Sequence, residues 1–462
     1  MRRSLTSRLA MLAPVLALAL LPASAGFASG PTAPPTGNPA TDVVADTPAA
    51  ERATEALEAA EALFAGQGAQ AKKHSPDDGH DHGDDYHADR GDGFDRSATL
   101  VLDELVATYD DLDAAQRLQA DAIMARPTDS SSTQSSRSSA QAAWVKKCTT
   151  QFCVHYENSG QHVATDTYTN SVVSVMSQVW TQQITQMGYR APLPDGSEGG
   201  DSRFDIYLQN ILPNGLLGYC QAEVSMVRKN RTAPTFCVLD NDYAETPNPN
   251  GYLRLTAAHE FFHAVQNAYD AGEDPWMKEA SATWMEERFA TDVNDNRFFL
   301  PQGQVKRPLR PLDSTKDQTV YGNWPFFEFI SSRYGNGMVK RIWTKAAGPS
   351  NKSMSVKAID RALGKKGGLA KNYARFASVN TAPWTQYAEG GQWGVKAPIT
   401  KSATVKKSKR VRNFSTKLKH LTSRNYNVRI KHRGLQGKKW KLGVRVVGPR
   451  RASGPGAHLL IH

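Results

Sequence analysis

Thirteen consecutive residues, Leu255 to Asn267 (LTAAHEFFHAVQN), carry only three ionisable side chains: His259, Glu260 and His263. A run this apolar, over three turns at about 3.6 residues each, predicts a helix buried on every side. Whatever the fold, it must supply partners to the buried imidazoles and carboxylate, because an unpaired polar group in the interior costs roughly 2–7 kcal/mol. His259 and His263 stand at i and i+4, so both rings share one helix face. That spacing lets two imidazoles bind one ion. Glu260 lies about 100° round the axis, beside such an ion and not on it. The chemistry expected of this set is metal-assisted hydrolysis. A zinc ion lowers the pKa of water to about 7, and Glu260 takes the proton as general base and returns it to the leaving group. The plainer alternative is a core helix whose histidines are satisfied by hydrogen bonds.

A catalytic zinc takes three protein ligands and keeps one position open. Metzincins place Gly and His three and six residues after the second histidine; here those positions hold Gln266 and Tyr269, and the next histidine is His420. The third ligand is therefore expected to be a carboxylate. Asp274-Pro275 reads as an N-cap followed by proline at N1, opening a helix to about Phe289 that carries Glu279, Glu286 and Glu287. Glu286 lies two turns beyond Glu279 on the same face, where it would orient a ligand histidine or stand as a plain surface carboxylate. Tyr321, in TVYG, is a candidate oxyanion donor or a packed core tyrosine.

These motifs resemble the gluzincin superfamily of zinc peptidases, whose second metal helix carries a Glu ligand followed by small residues. Trp276 to Glu286 (WMKEASATWME) fits at Glu279, Ala280 and Ala282. The resemblance implies that Glu279 is the third ligand; helices mixed with a few strands indicate α+β, and with the resemblance a zincin-like domain with a small mixed or antiparallel sheet and an HExxH helix. The resemblance also implies that strand 236–239 (FCVL), before the metal helix, is the edge strand that pairs with an extended substrate. Over residues 98–345 the chain also resembles an uncharacterised family of secreted bacterial metalloproteases with a myxobacterial prototype. The shared pieces are ARPTD, RFDIYL, CVLDND, HEFFHAVQ, Trp276 to Glu287 and YGNWPFFEF.

The rest of the chain sets the context. Arg2, Arg3 and Arg8 precede an apolar stretch, Leu9 to Leu21, and Ala23-Ser24-Ala25. Residues 1–25 read as a signal peptide, so the protein is expected to be secreted, with no membrane span once the signal is removed. Residues 26–143 read as a pro-region. They comprise a Pro/Ala-rich stretch, a short helix at 51–65, a His- and Asp-rich run with His74, His80, His82 and His87, a helical pair over 98–127 and a Ser-rich linker. The His-rich run fits either loose metal binding or a solvated acidic linker.

Residues 144–395 read as the catalytic domain. A helix is expected over Thr165–Met187, strands at 204–208 and 236–239, a turn at Asn248–Gly251 and the metal helix from Leu253 to about Tyr269. The four cysteines, Cys148, Cys153, Cys220 and Cys237, are expected to pair with their sequence neighbours as disulfides; their spacing does not suit a zinc site. Calcium is not indicated.

Residues 396–462 read as a basic β module, with strands at 426–430 and 440–446. From Lys401 on there are 18 Lys and Arg and no Asp or Glu, so the rest of the chain is net acidic despite an overall charge of +11. Such a tail suits an anionic cell-wall or surface polymer, or serves only as a solvated face. Its sparse aromatics argue against nucleic acid. Two functional readings follow: a secreted zinc metallopeptidase made as a zymogen and acting on protein or peptide, or a non-enzymatic surface-binding protein on a zincin scaffold.

Overall fold

A computed structural model of the chain describes residues 48–65, 98–133, 144–228, 231–348, 354–406, 408 and 411–431. The signal-like leader, the His-rich run, most of the Ser-rich linker and the expected strand at 440–446 lie outside the described residues.

In chain order come helices α1 (Ala49–Phe64), α2 (Ala98–Thr108) and α3 (Ala114–Met124). Strands β1 (Trp144–Cys148) and β2 (Phe152–Glu157) lead into α4 (Asp166–Trp180), then β3 (Phe204–Gln209), β4 (Gly218–Ala222) and β5 (Thr235–Asp240). The long helix α5 (Pro249–Asp270) and α6 (Pro275–Phe289) follow, then α7 (Thr319–Gly322), α8 (Trp324–Tyr334), α9 (Gly337–Ala346), α10 (Val356–Leu363) and α11 (Gly368–Val379). Strands β6 (Ile399–Val405) and β7 (Asn425–Ile430) close the described chain. The mixture is α+β, as the sequence implies.

The main sheet has the order β1-β2-β3-β5-β4. Its centre, β2-β3-β5, is parallel, and β1 and β4 are antiparallel edges. This corrects the expectation for strand 236–239: β5 lies inside the sheet, and the edge on that side is β4. The reason is the short segment GYCQA, which folds back antiparallel on β5 with Cys220 opposite Cys237.

Both faces of the sheet are covered. Phe204, Ile206, Leu208 and Leu239 share one core with α4, α5 and α6. Tyr207, Tyr219, Phe236 and Val238 share another with α1, α2 and α3. The alternation Phe204-Asp205-Ile206-Tyr207-Leu208 suggests a strand with one wet face, yet every residue of β3 is buried. Asp205 and Tyr207 meet Arg126, from the turn after α3, in place of water. Arg126 is itself buried, and its guanidinium also pairs with Asp195 and Glu223.

Helix α5 begins earlier than expected. Asn248 caps it, its side chain accepting from the Gly251 amide at 3.1 Å, and Pro249 occupies N1. The residues that look like a turn are therefore the helix start. All residues from Leu255 to Asp270 are buried. Helix α4 continues into a π turn over Thr181–Gln186, from which Gln183 donates to the Ala258 carbonyl at 2.9 Å and braces the middle of α5. Ala280, Ser281 and Ala282 leave room for α6 to lie close against α5.

The described part of the tail is tied to the body: the Leu421 carbonyl accepts from Leu312 N–H and Tyr373 Oη. Strands β6 and β7 pair in parallel; only the second was expected. Among the described residues no helix is long and apolar enough to cross a membrane.

Candidate metal centre

His259 and His263 sit one turn apart on α5, and α6 brings Glu279 against both. His259 Nε2 is 3.1 Å from Glu279 Oε2, and His263 Nε2 is 3.4 Å from Glu279 Oε1. The three donor atoms lie within 4.8 Å of one another, and all three residues are buried. His263 Nε2 and Glu279 Oε1 make no hydrogen bond among the described residues. Two buried polar atoms left so, on a converging set of two imidazoles and a carboxylate, are what a site for a metal ion looks like from its donors.

The outer ring nitrogens fix the inner ones. His259 Nδ1 is 2.6 Å from Glu286 Oε1. His263 Nδ1 is 2.8 Å from Gln266 Oε1, and Gln266 is held in turn by donating to the Lys278 carbonyl at 2.9 Å and to Ser281 Oγ at 3.3 Å. Both rings therefore aim Nε2 inward, as metal-ligating histidines are oriented by their outer partners. Glu286, two turns beyond Glu279, is buried against His259 and is not a surface carboxylate. In the sequence Gln266 marks only the absence of a glycine, yet its place at i+3 from His263 is a usable signal, since that position shares the histidine's face.

The electrostatics favour a cation here. Burial opposes charge on His259, but hydrogen bonds to Glu279 and Glu286 outweigh it and push its pKa up to about 10. Burial works against ionised Glu279 too, but the neighbouring charge of His263 and the hydrogen bond from His259 bring it down to about 2. The same negative charges would attract a metal cation.

Glu260 lies beside this set, buried, its Oε2 accepting from Thr99 Oγ1 at 3.1 Å. Burial raises its pKa, against the lowering influence of His259 and His263. Tyr321 packs between Phe299 and the ring of His259, with ring centroids 5.0 and 6.3 Å away. Glu287, a third candidate carboxylate, is not part of the cluster. Its Oε2 accepts from Asn296 Nδ2 at 2.7 Å, and burial pushes its pKa up to about 7. Lys278, next to Glu279 and fully buried, is paired with Asp103 of α2 and donates to Asn267 at 3.1 Å. Nothing in the sequence marks that pairing, because Asp103 and Lys278 are 175 residues apart.

The cysteines pair as Cys148–Cys153 and Cys220–Cys237, which fits an oxidising compartment. The second bridge joins β4 to β5, and Cys220 Sγ lies 2.8 Å from the Glu260 carbonyl oxygen. Two other groupings have the composition of metal sites but not the chemistry. Cys153, beside His155 and Asp205, is spent in a disulfide. Asp240, beside Asp242 and Glu245, already accepts from four main-chain amides, those of Ile211, Leu212, Asp242 and Tyr243.

No protein-family model matches the sequence, and no curated protein matches it. The functional reading therefore stands on the motifs and the geometry.

Proposed function

We propose that the chain is an exported zinc-dependent metallopeptidase on a zincin-like scaffold, made as a zymogen. The observation that carries the reading is the convergence of His259, His263 and Glu279, two of whose inward atoms make no hydrogen bond, with Glu260 alongside. Two imidazoles and one carboxylate are a donor set suited to zinc. When bound there, zinc supplies a Lewis acid and makes water acidic enough to attack near neutral pH.

The chain's own residues do the rest. Glu286 and Gln266 hold the histidines with Nε2 facing inward. Glu260 accepts the proton of the attacking water and delivers it to the departing amine. Tyr321 stands beside His259 as donor to the developing oxyanion. Strand β4, the sheet edge nearest Glu260, offers main-chain groups to an extended peptide. Export is supported by the two disulfides and by the signal-like leader. The basic tail suits an anionic wall or surface polymer.

Metal analysis of the purified protein tests the reading, together with casein hydrolysis by the intact chain and by its limited-proteolysis products. Bound zinc and cleavage abolished by a chelator are expected; a wild type that binds no metal overturns it.

A further inference from the structure

Helix α2 touches the candidate centre more intimately than a neighbouring support requires. Thr99, in its first turn, accepts from the Cys220 amide at 3.1 Å and donates to Glu260 Oε2 at 3.1 Å. Cys220 lies mid-way along β4, and its N–H is not spent on β5; it is an outward group of the sheet edge. One hydroxyl thus takes both an edge-strand donor and the candidate general base. Further along α2, Leu102 and Leu105 are buried in the core that includes Tyr219 of β4. Asp103 is paired with the buried Lys278. The space left beside His259 and Glu260, bounded by Leu217, Gly218 and Thr256, is a cavity of about 10 Å³. That is about the room of one water molecule, and far below what a peptide side chain fills.

We infer that α2 is an autoinhibitory element: it holds the chain latent by covering strand β4 and tying up Glu260 through Thr99, and Asp103–Lys278 is its clamp. The inference rests on the peptidase reading. A peptide can reach β4 and Glu260 only after α2 moves aside. Arg126, paired with Asp195, Asp205 and Glu223, anchors the far end of the α1–α3 layer to the sheet. With Thr99 on Glu260, the clamp at Lys278, next to Glu279, is the α2 contact whose loss frees the helix without uprooting the layer.

The test uses the full-length, zinc-loaded protein as wild type, Thr99→Val and Thr99→Val/Asp103→Asn. Hydrolysis of a fluorogenic casein is measured per bound zinc, and hydrogen exchange is followed across residues 216–224. The double variant should hydrolyse faster by at least roughly tenfold, the equivalent of one or two hydrogen bonds. Its β4 amides should exchange faster with no substrate present. Unchanged exchange in β4 overturns the inference. So does a wild type that already hydrolyses as fast as the variants, and that outcome leaves the peptidase reading standing. Faster exchange in β4 with no hydrolysis by any form overturns the peptidase reading, and inhibition with it.

Discussion

Removing Glu286 should weaken metal binding without dismantling the fold. Its Oε1 lies 2.6 Å from His259 Nδ1, and both side chains are almost fully buried. The carboxylate fixes the ring so that Nε2 faces Glu279, and its charge adds to the negative surroundings of an ion. Loss of such an outer partner typically costs 10–100-fold in metal affinity, or about 1.4–2.7 kcal/mol. Glu286→Gln keeps an oxygen acceptor but not the charge, so it should fall near the small end of that range; Glu286→Ala loses both and should fall near the large end. Competition for zinc against a chromophoric chelator, near neutral pH, reads the difference directly. Proton release gives a second reading. His259, with its pKa pushed up to about 10, carries a proton that zinc must displace. Glu286→Ala should release fewer protons on zinc uptake. Affinities for both variants within about twofold of wild type would refute the argument that Glu286 orients His259.

Three further outcomes follow from the same structure. Arg126→Met leaves Asp195, Asp205 and Glu223 without their shared cation and should cost about 3–5 kcal/mol in urea unfolding. Burial already raises the Asp195 and Glu223 pKa values. These carboxylates stabilise the fold most when protonated, so the deficit should narrow as pH falls toward about 4 and widen as it rises; a pH-independent deficit contradicts this. Replacing Cys220 and Cys237 together by Ala opens a loop of sequence separation 17 and should cost about 3 kcal/mol, read as a lower Tm; an unchanged Tm contradicts it. In metal-stripped protein, the folded-state pKa of His259 is raised from 6.5 to about 10. The stability it contributes is complete below pH 6.5 and lost as pH rises through about 10. Zinc-loaded protein should not show that decline, and parallel unfolding titrations of the two forms would expose an error.

Helix α5 was legible because its sequence is so restrictive: a long apolar run, Leu255 to Asn267, whose only ionisable residues are His259, Glu260 and His263. Helical arithmetic put Glu286 on the face of Glu279, seven residues on, but did not decide between a partner for His259 and a surface carboxylate; the structure places it 2.6 Å from His259 Nδ1. Where reading by spacing fell short, the cause was contact between distant segments. The polar side of β3 looks solvent-facing, but Asp205 is met by Arg126, 79 residues away. The edge strand was misplaced because its assignment to 236–239 came from the resemblance alone, and GYCQA, short and opened by a glycine, shows no alternation that would mark a further strand outside β5. Asn248-Pro249-Asn250-Gly251 has the composition of a turn, but its Asn and Pro serve equally as cap and first residue of a helix. Thr99 bears no motif, and its importance arises only where α2 crosses β4.

The central claim is tested most directly by replacing Glu260 alone. Glu260→Gln should keep the bound zinc of the wild type, because the ligand atoms belong to His259, His263 and Glu279. Its chelator-sensitive casein hydrolysis, measured in the Thr99→Val/Asp103→Asn background, should fall by about 10²–10⁴-fold, the usual weight of a general base. Undiminished cleavage with zinc in place would contradict the role given to Glu260 and the mechanism built on it.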